Sequence, residues 1–450
     1  MPTSRIRSRA NARIWQDIAT FVVAWAVLFA TSVWPIGSSG GFAFMGISAW
    51  LILRRPLNGI VLLLLLASCP VEAVGIPRPF AVLFLTATLG AVIRNVDFSH
   101  AAKSSITVAS LAFCVLATAL IKPDHLSQVV PYWEGFGLIV LVQAIITTRR
   151  DFLVAIVALV TVSAASTVVG YTHLKMGEQT AQYRAVANAP ETRLVIDSKW
   201  KITSNGDRVR WIWAGAEPNY RALVLAFCVV VSAALFSSAT STRMAWFYAA
   251  VGVLTILGLL GTYSRSGFLS ATIGVVLTIV SRIKFSTKIV FLIVVAAISV
   301  SIAMPAIIDR IATIGRNLRE TGGTGRLAAW SIGIQIWEGS PIFGNGGETR
   351  YMMEGAVHNT FIEIAADFGI FGGLLFVAIV AVPFLNRPRV SFPSREYHLV
   401  SSALAFGLIA ACCQAATVTL YDPVLLWLCA VLCFVFHRLN SRPRLRMQTS

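Results

Sequence analysis

Runs of predominantly apolar residues recur along this chain at lengths near 20, and no other feature limits its fold as much. A helix needs ~20 such residues to cross a ~30 Å hydrocarbon layer, and only helices or closed barrels satisfy their backbone polar groups there. Barrel strands would alternate polar and apolar residues, and these runs do not. With 56% hydrophobic and 13% charged residues among 450, the composition does not suit a soluble domain of this size. The runs predict fourteen spans, near residues 18–34, 39–53, 58–75, 79–93, 103–121, 132–147, 152–170, 219–238, 244–262, 265–281, 286–304, 360–385, 398–419 and 423–437. The expected fold class is an all-α polytopic membrane protein of about 14 (12–14) transmembrane helices with two long extracytoplasmic loops.

Basic residues give an independent reading of topology, because Lys and Arg in short loops stay cytoplasmic. With both termini inside, 21 of the 37 basic residues fall in the termini and the inner turns, among them Arg54, Arg55, Arg94, Arg149, Arg150, Arg243, Arg387 and Arg438. Short outer turns carry only Arg78, Lys122 and Arg265. The net charge of +17 is therefore mostly topology signal facing anionic membrane lipid, and it does not point to nucleic acid. All seven cysteines fall inside predicted spans, without disulfide or metal-type spacing, so no metal and no cofactor is expected. The first apolar run lacks a convincing cleavage site and reads as an uncleaved span. The chain divides into N-terminal helices (1–170), loop one (171–218), helices carrying Arg265 (219–304), loop two (305–359), and C-terminal helices with a basic tail (360–450).

Loop one holds Asn205-Gly206 between alternating segments, a hairpin signal. Pairing outward from that turn sets Trp200 opposite Trp211 and Ile202 opposite Val209, with Lys199, Lys201, Arg208 and Arg210 on the other face. Four cations on one face suit an anion or lipid headgroups, or form a solvated basic surface. In loop two, Ile307, Ile308, Ile311, Ile314 and Leu318 have the spacing of an interfacial helix. Glycines break the chain at 322–325, and a second helix is expected from Arg326 to about Glu338, with Leu327, Trp330, Ile334 and Trp337 on one stripe.

Ser264 is a good N-cap, which makes Arg265 the first residue of a helix at the outer surface. Its guanidinium and the helix N-terminus together favour a phosphate, although a snorkelling arginine fits the same position. His358 has a near-neutral pKa as a free side chain and can accept a proton at working pH, although a lone loop histidine is often only a surface residue. Arg326 and Arg210 are each compatible with a surface charge. Several arginines and one histidine on a single membrane face point instead to anion binding and proton transfer.

Four segments taken together resemble the O-antigen ligase and polymerase superfamily. They are Tyr263-Ser264-Arg265-Ser266-Gly267, Gly325-Arg326 with Trp330, Pro341-Ile342-Phe343-Gly344-Asn345-Gly346, and His358-Asn359 with Glu363. The resemblance covers about residues 205–375. It implies a GT-C-like membrane fold and transfer of a glycan from a polyprenyl-diphosphate-linked donor to an acceptor hydroxyl on another glycan, lipid A-core or a protein, at the outer face of the bacterial inner membrane. It also implies that Arg265 and Arg210 hold the diphosphate, His358 acts as base or orients the acceptor, and Arg326 and Asn359 support substrate. Arg210 is carried over from an Arg…Gly…Pro-Asn arrangement whose glycine is displaced by two positions here, so Arg208 and Arg221 remain substitutes. Arginines in place of a divalent metal would make the transfer metal-independent, with inversion at the anomeric carbon. A secondary transporter and a non-catalytic component of a polysaccharide export assembly are the alternatives. An ion-coupled transporter usually keeps ionisable residues near the midplane, and candidates are few here: Glu72 and Glu134 lie near span ends, and Glu363 and Asp367 follow His358 in the first turns of a helix.

Overall fold

A computed structural model describes residues 37–68, 79–98, 126–178, 194–196, 200–204, 209–210, 218–239, 241–262, 264–280, 326–346, 349, 357, 359–385, 395–416 and 424–441. The expected spans at 18–34, 103–121 and 286–304, the interfacial helix at 307–318, the glycine break and His358 lie outside the described residues.

The other expected spans each have a helix. In chain order these are α1 (Gly37–Arg54), α2 (Pro56–Ser68), α3 (Pro79–Ile93), α4 (Leu126–Ile145), α5 (Arg149–Glu178), α6 (Pro218–Ser238), α7 (Thr242–Gly261) and α8 (Arg265–Val280), then α10 (Thr360–Leu385), α11 (Arg395–Ala415) and α12 (Val424–Ser441). The loop-two helix is α9, Arg326–Gly339. Among the described residues, four stretches are long and apolar enough to cross a membrane: Arg149–Val168, Arg221–Ser238, Thr242–Gly261 and Thr360–Ala381, the last of them interrupted at Gly369. α5 runs on through residues 171–178, which the sequence assigns to loop one, because no proline interrupts its ladder.

Loop one carries a three-stranded antiparallel sheet of β1 (Leu194–Ile196), β2 (Trp200–Ser204) and β3 (Val209–Arg210). The hairpin is present, but its register differs from the expected one. Thr203 pairs with Arg210 and Ser204 with Val209, so β3 sits two residues along from the pairing that an Asn205-Gly206 turn sets. Four residues, 205–208, therefore connect the strands in place of the expected two, and β1 pairs with the other edge of β2 through Leu194 opposite Ile202 and Ile196 opposite Trp200.

Close approach of small residues packs the bundle. A Cβ on Gly274 of α8 would meet Val230 of α6 at 2.6 Å and Ala410 of α11 at 3.2 Å, and one on Gly407 would meet the Phe227 ring at 2.9 Å. Helices that lack a hydrophobic drive to associate in lipid gain most from contacts of this kind. α6 is their common partner and is buried over nearly its whole length.

The two ends of the bundle have different chemistry. At one end, basic residues tie turns together. Arg55 Nη2 pairs with Asp151 Oδ1 at 3.0 Å and Arg94 Nε donates to the Leu53 carbonyl at 3.0 Å. Arg438 donates to the Gln143 and Ile146 carbonyls at the end of α4. Thr148 caps α5, accepting from the Asp151 N–H at 3.1 Å while donating to Asp151 Oδ2 at 2.7 Å. These are turns that the charge pattern assigns to one membrane face. At the other end, Thr167 of α5 presses on Gly258 of α7, and Ala222 of α6 presses on Gly267 of α8.

α10 departs most from expectation. The sequence reads 360–385 as one rod, but Gly369 breaks it at φ 70° and ψ −173°. Phe361 and Phe376 would stand ~22 Å apart along a straight helix, yet their ring centroids are 5.2 Å apart. The helix therefore folds back on itself. Phe376 also packs edge-on against Trp427 at 5.1 Å, and Trp427 against Phe136 at 5.6 Å, joining the elbow to α12 and α4.

A break of this kind frees backbone groups, and the segment Pro341–Gly346 takes them up. The Ile370 N–H, which an unbroken helix would aim at Ala366, donates to the Pro341 carbonyl at 2.8 Å. The Ala366 and Asp367 carbonyls accept instead from the N–H groups of Asn345 and Gly346, each at 2.9 Å. Gly344 sits at φ 72°, and a Cβ there would collide with the Asp367 carbonyl. A Cβ on Gly369 would collide with the Ile342 carbonyl.

Gly369→Ala should therefore destabilise the protein by at least the ~1–3 kcal/mol of a strained non-glycine φ. Gly46→Ala, where nothing lies within 4 Å of the added carbon, should be neutral or gain up to ~1 kcal/mol of helix propensity. Thermal unfolding in detergent measures both. Equal melting temperatures for the two variants would contradict the elbow geometry.

Candidate functional site

Local sequence places the start of α8 as expected. The Gly267 N–H donates to Ser264 Oγ at 3.3 Å and the Phe268 N–H to the Ser264 carbonyl at 3.1 Å, so Ser264 is the N-cap and Arg265 opens the helix. Its surroundings differ from expectation. Ser264 and Thr262 are fully buried rather than at the surface. Thr262 Oγ1 accepts from the Ser264 N–H at 3.3 Å and donates to the Leu259 carbonyl at 2.7 Å, linking the end of α7 to the cap of α8. The burial comes from Gly267, where a Cβ would stand 2.6 Å from the Ala222 side chain. A helix N-terminus inside such a bundle keeps more of its positive potential than one in water.

Asn359 caps the first limb of α10. Its Oδ1 accepts from the N–H groups of Phe361 at 3.0 Å and Ile362 at 3.2 Å, and its carbonyl accepts from Glu363 at 3.0 Å. The same side chain that the resemblance gives to substrate thus already holds a helix end. His358, the residue before it, lies outside the described residues. Both the preceding Val357 and the following turn touch α9, where Gly333 lets them approach. A Cβ on Gly333 would meet Val357 at 2.9 Å and Ile362 at 3.0 Å.

Arg326 is the first residue of α9. The packing stripe of that helix differs from the expected one. Ile334 is exposed, and the buried face centres on Gly333 with Trp330 and Trp337 partly buried beside it. Contact here requires a residue without a side chain, which hydrophobic spacing does not reveal. Trp337 Nε1 donates to the Pro341 carbonyl at 3.3 Å, and Asn345 Nδ2 donates to the Ile336 carbonyl at 3.0 Å, so α9 is also tied to the elbow.

Arg210 closes β3 opposite Thr203. Of its substitutes, Arg208 lies outside the described residues. Arg221 is buried in the first turns of α6, where it donates to Ser166 Oγ of α5. Its neighbour Ala222 is the residue that Gly267 admits, so a buried guanidinium stands one residue from the contact that seats the α8 N-terminus.

The described contacts therefore form two assemblies, α8 with α6 and α11, and α9 with α10, and α10 meets α11 and α12. Two further groups, Glu363 and Asp367, entered the sequence reading only through the His358-Asn359 motif and the transporter alternative. Both are buried in the first limb of α10, and Asp367 Oδ1 accepts from the Thr349 N–H at 3.3 Å. Their i, i+4 spacing was the available signal. A groove of about 500 Å³ opens along α6, α7 and α8, lined by residues that include Phe236, Trp246, Tyr248 and Val275. Among the described residues, Asn359 does not line it.

The chain matches no curated protein. A family model does match, over a stretch that opens within α7, takes in the capped start of α8, α9 and the elbow, and ends in the second limb of α10. Residues 250–377 of this chain are thus a domain of the O-antigen ligase family.

Proposed function

We propose that this protein transfers a glycan from a polyprenyl-diphosphate donor to an acceptor hydroxyl at the extracytoplasmic face of the bacterial inner membrane, as an O-antigen ligase or as an O-antigen or exopolysaccharide polymerase. At the coarser level, the family match supports glycan transfer in polysaccharide biosynthesis by a multi-pass membrane protein. The observation that carries the finer reading is the cap at Ser264, which opens a helix with Arg265 inside the matched domain.

Outside the cytoplasm there is no nucleotide supply, so the donor must arrive already activated. In the proposed step, the acceptor oxygen attacks the anomeric carbon from the face opposite the diphosphate. The bond from that carbon to the phosphate oxygen breaks and its electron pair leaves with the diphosphate. Arg265 at the helix N-terminus, with Arg210 from loop one, stabilises the departing charge. The imidazole of His358 takes the hydroxyl proton. Arg326 and Asn359 support the bound substrate. Opposed attack and departure give inversion, and cations at the diphosphate remove the need for a divalent metal. The acceptor is another glycan chain or lipid A-core.

His358→Ala and Arg265→Ala should each lower transfer by ~10²-fold or more, the range for a lost general base or a lost charge stabiliser. Glycan display by a host carrying each variant, at matched membrane levels, is the measurement. Normal display by both would remove their assigned roles. Purified protein should also keep its transfer rate after chelator treatment, and a loss restored by magnesium would contradict metal independence.

A further inference from the structure

At the elbow of α10, a broken helix coincides with a charge-free loop and an exposed apolar surface. Along the second limb, Ile370, Leu374 and Val377 recur at i, i+4 and i+7 and are exposed, while Phe376, Ile379 and Val380 on the other face are buried. This is how a helix presents one face to lipid and the other to its bundle. The stripe does not stop at the break. Ile342 and Phe343 adjoin its top through backbone contact with Gly369, and they are 52% and 62% exposed. No charged residue occurs in 339–346 or in 368–385.

Several polar groups of the elbow are hydrogen-bonded within the protein. The Gly344 N–H donates to the Ser340 carbonyl and Ser340 Oγ donates to the Gly344 carbonyl, both at 2.9 Å. Asn345 is buried, and its Nδ2 donates to the Ile336 carbonyl at 3.0 Å and the Ala366 carbonyl at 3.2 Å. The Asn345, Gly346 and Ile370 N–H groups are also engaged, so these polar groups find their partners within the protein. A turn in water has no need of this, whereas hydrocarbon tolerates irregular backbone only where its polar groups are satisfied by protein.

Length agrees. From Ile370 to Leu385 the second limb rises ~24 Å, less than the ~30 Å of a hydrocarbon layer. In the sequence Arg387 and Arg389 follow its far end, so with those cations at one headgroup layer the elbow stops within the opposite leaflet.

We propose that the elbow formed by Pro341–Gly346 and Gly369–Phe371 is immersed in the acyl chains of the leaflet remote from the basic turns, with phospholipid hydrocarbon as its partner. Continuity with the stripe of the second limb selects bulk lipid as the occupant. The immersion fixes the depth of the limb that leads back to Asn359. Its consequence for transfer, a reactive turn held at a set depth beside a lipid-linked donor, rests on the glycan-transfer reading, whereas the immersion itself does not.

The test places a nitroxide label at Phe343→Cys, Leu374→Cys or Glu338→Cys of the full chain, with the native cysteines replaced by alanine, in phosphatidylethanolamine and phosphatidylglycerol vesicles. The label at 343 should collide with oxygen several-fold more, relative to a water-soluble nickel complex, than the label at the exposed Glu338 position, and should resemble the label at 374. A ratio like that at 338 would overturn the proposal. So would a label at 343 shielded from both reagents, since a second copy or another segment would then cover the elbow. Should the cysteine-free chain not fold, a benzoylphenylalanine at 343 in the otherwise native protein reads the same contact. Phospholipid adducts support immersion, and adducts confined to protein, or none, refute it. These readouts need no catalysis, so their failure is separable from failure of the transfer reading, which the His358→Ala variant measures.

Discussion

Hydrocarbon does not hydrate a backbone N–H or C=O, and the half of the chain that carries the matched domain is organised by the way this constraint is met. The break at Gly369 releases the Ile370 N–H and the Ala366 and Asp367 carbonyls, and the segment Pro341–Gly346 supplies a partner for each. Two glycines at positive φ are required because each stands against the other's backbone, Gly344 against Asp367 and Gly369 against Ile342. Everything that flanks residue 358 follows from this joint. It turns the first limb of α10 back toward Phe376 and Trp427, and through Asn345 it holds the end of α9 beside that limb. The glycine-containing segment Pro341–Gly346 is thus a hydrogen-bonded coupling between α9 and α10.

The remainder of the bundle divides labour between its ends. Arginines at one end reach across long sequence separations to carbonyls and a carboxylate, as Arg438 does to α4 and Arg55 does to Asp151. At the other end, small residues make the close contacts. Gly258 and Gly267 bring α7 and α8 against α5 and α6, and the hydroxyls of Thr262 and Ser264 close the turn between them. A buried cap of this sort supports a helix N-terminus whose potential is little screened, the electrostatic condition that the proposed diphosphate leaving group requires.

Glycan transfer of the proposed kind needs little covalent chemistry from the protein. A diphosphate already makes a good leaving group, so the chain has to orient, stabilise charge and remove one proton. This suits a scaffold in which Arg265 and Arg326 each open a helix and Asn359 caps one, since helix ends are positioned by packing rather than by mobile loops. Arg221 adds a buried cation one residue from the Ala222–Gly267 contact, and its bond to Ser166 binds α5 into the same end of the molecule.

Much of this was legible in the residues. Apolar run lengths located most ends of the described helices to within about four residues, the start of α4 and the ends of α2 and α5 excepted, since hydropathy and the need for a full ladder are local properties. The Ser264 cap and the start of α9 at Arg326 were read from the residues themselves, and the family from four short segments. What the sequence by itself determined, then, was the helical membrane class, the cap chemistry and the kinship of residues 250–377. Tertiary structure alone decided the fold-back at Gly369, the register of β3, the Gly333 face of α9 and the burial of Ser264. In each case the cause is a partner distant in sequence. Pro341 accepts the Ile370 N–H, β1 pairs with β2, Val357 needs the space at Gly333, and Ala222 covers the α8 turn. Local periodicity carries no record of which remote residue will stand opposite.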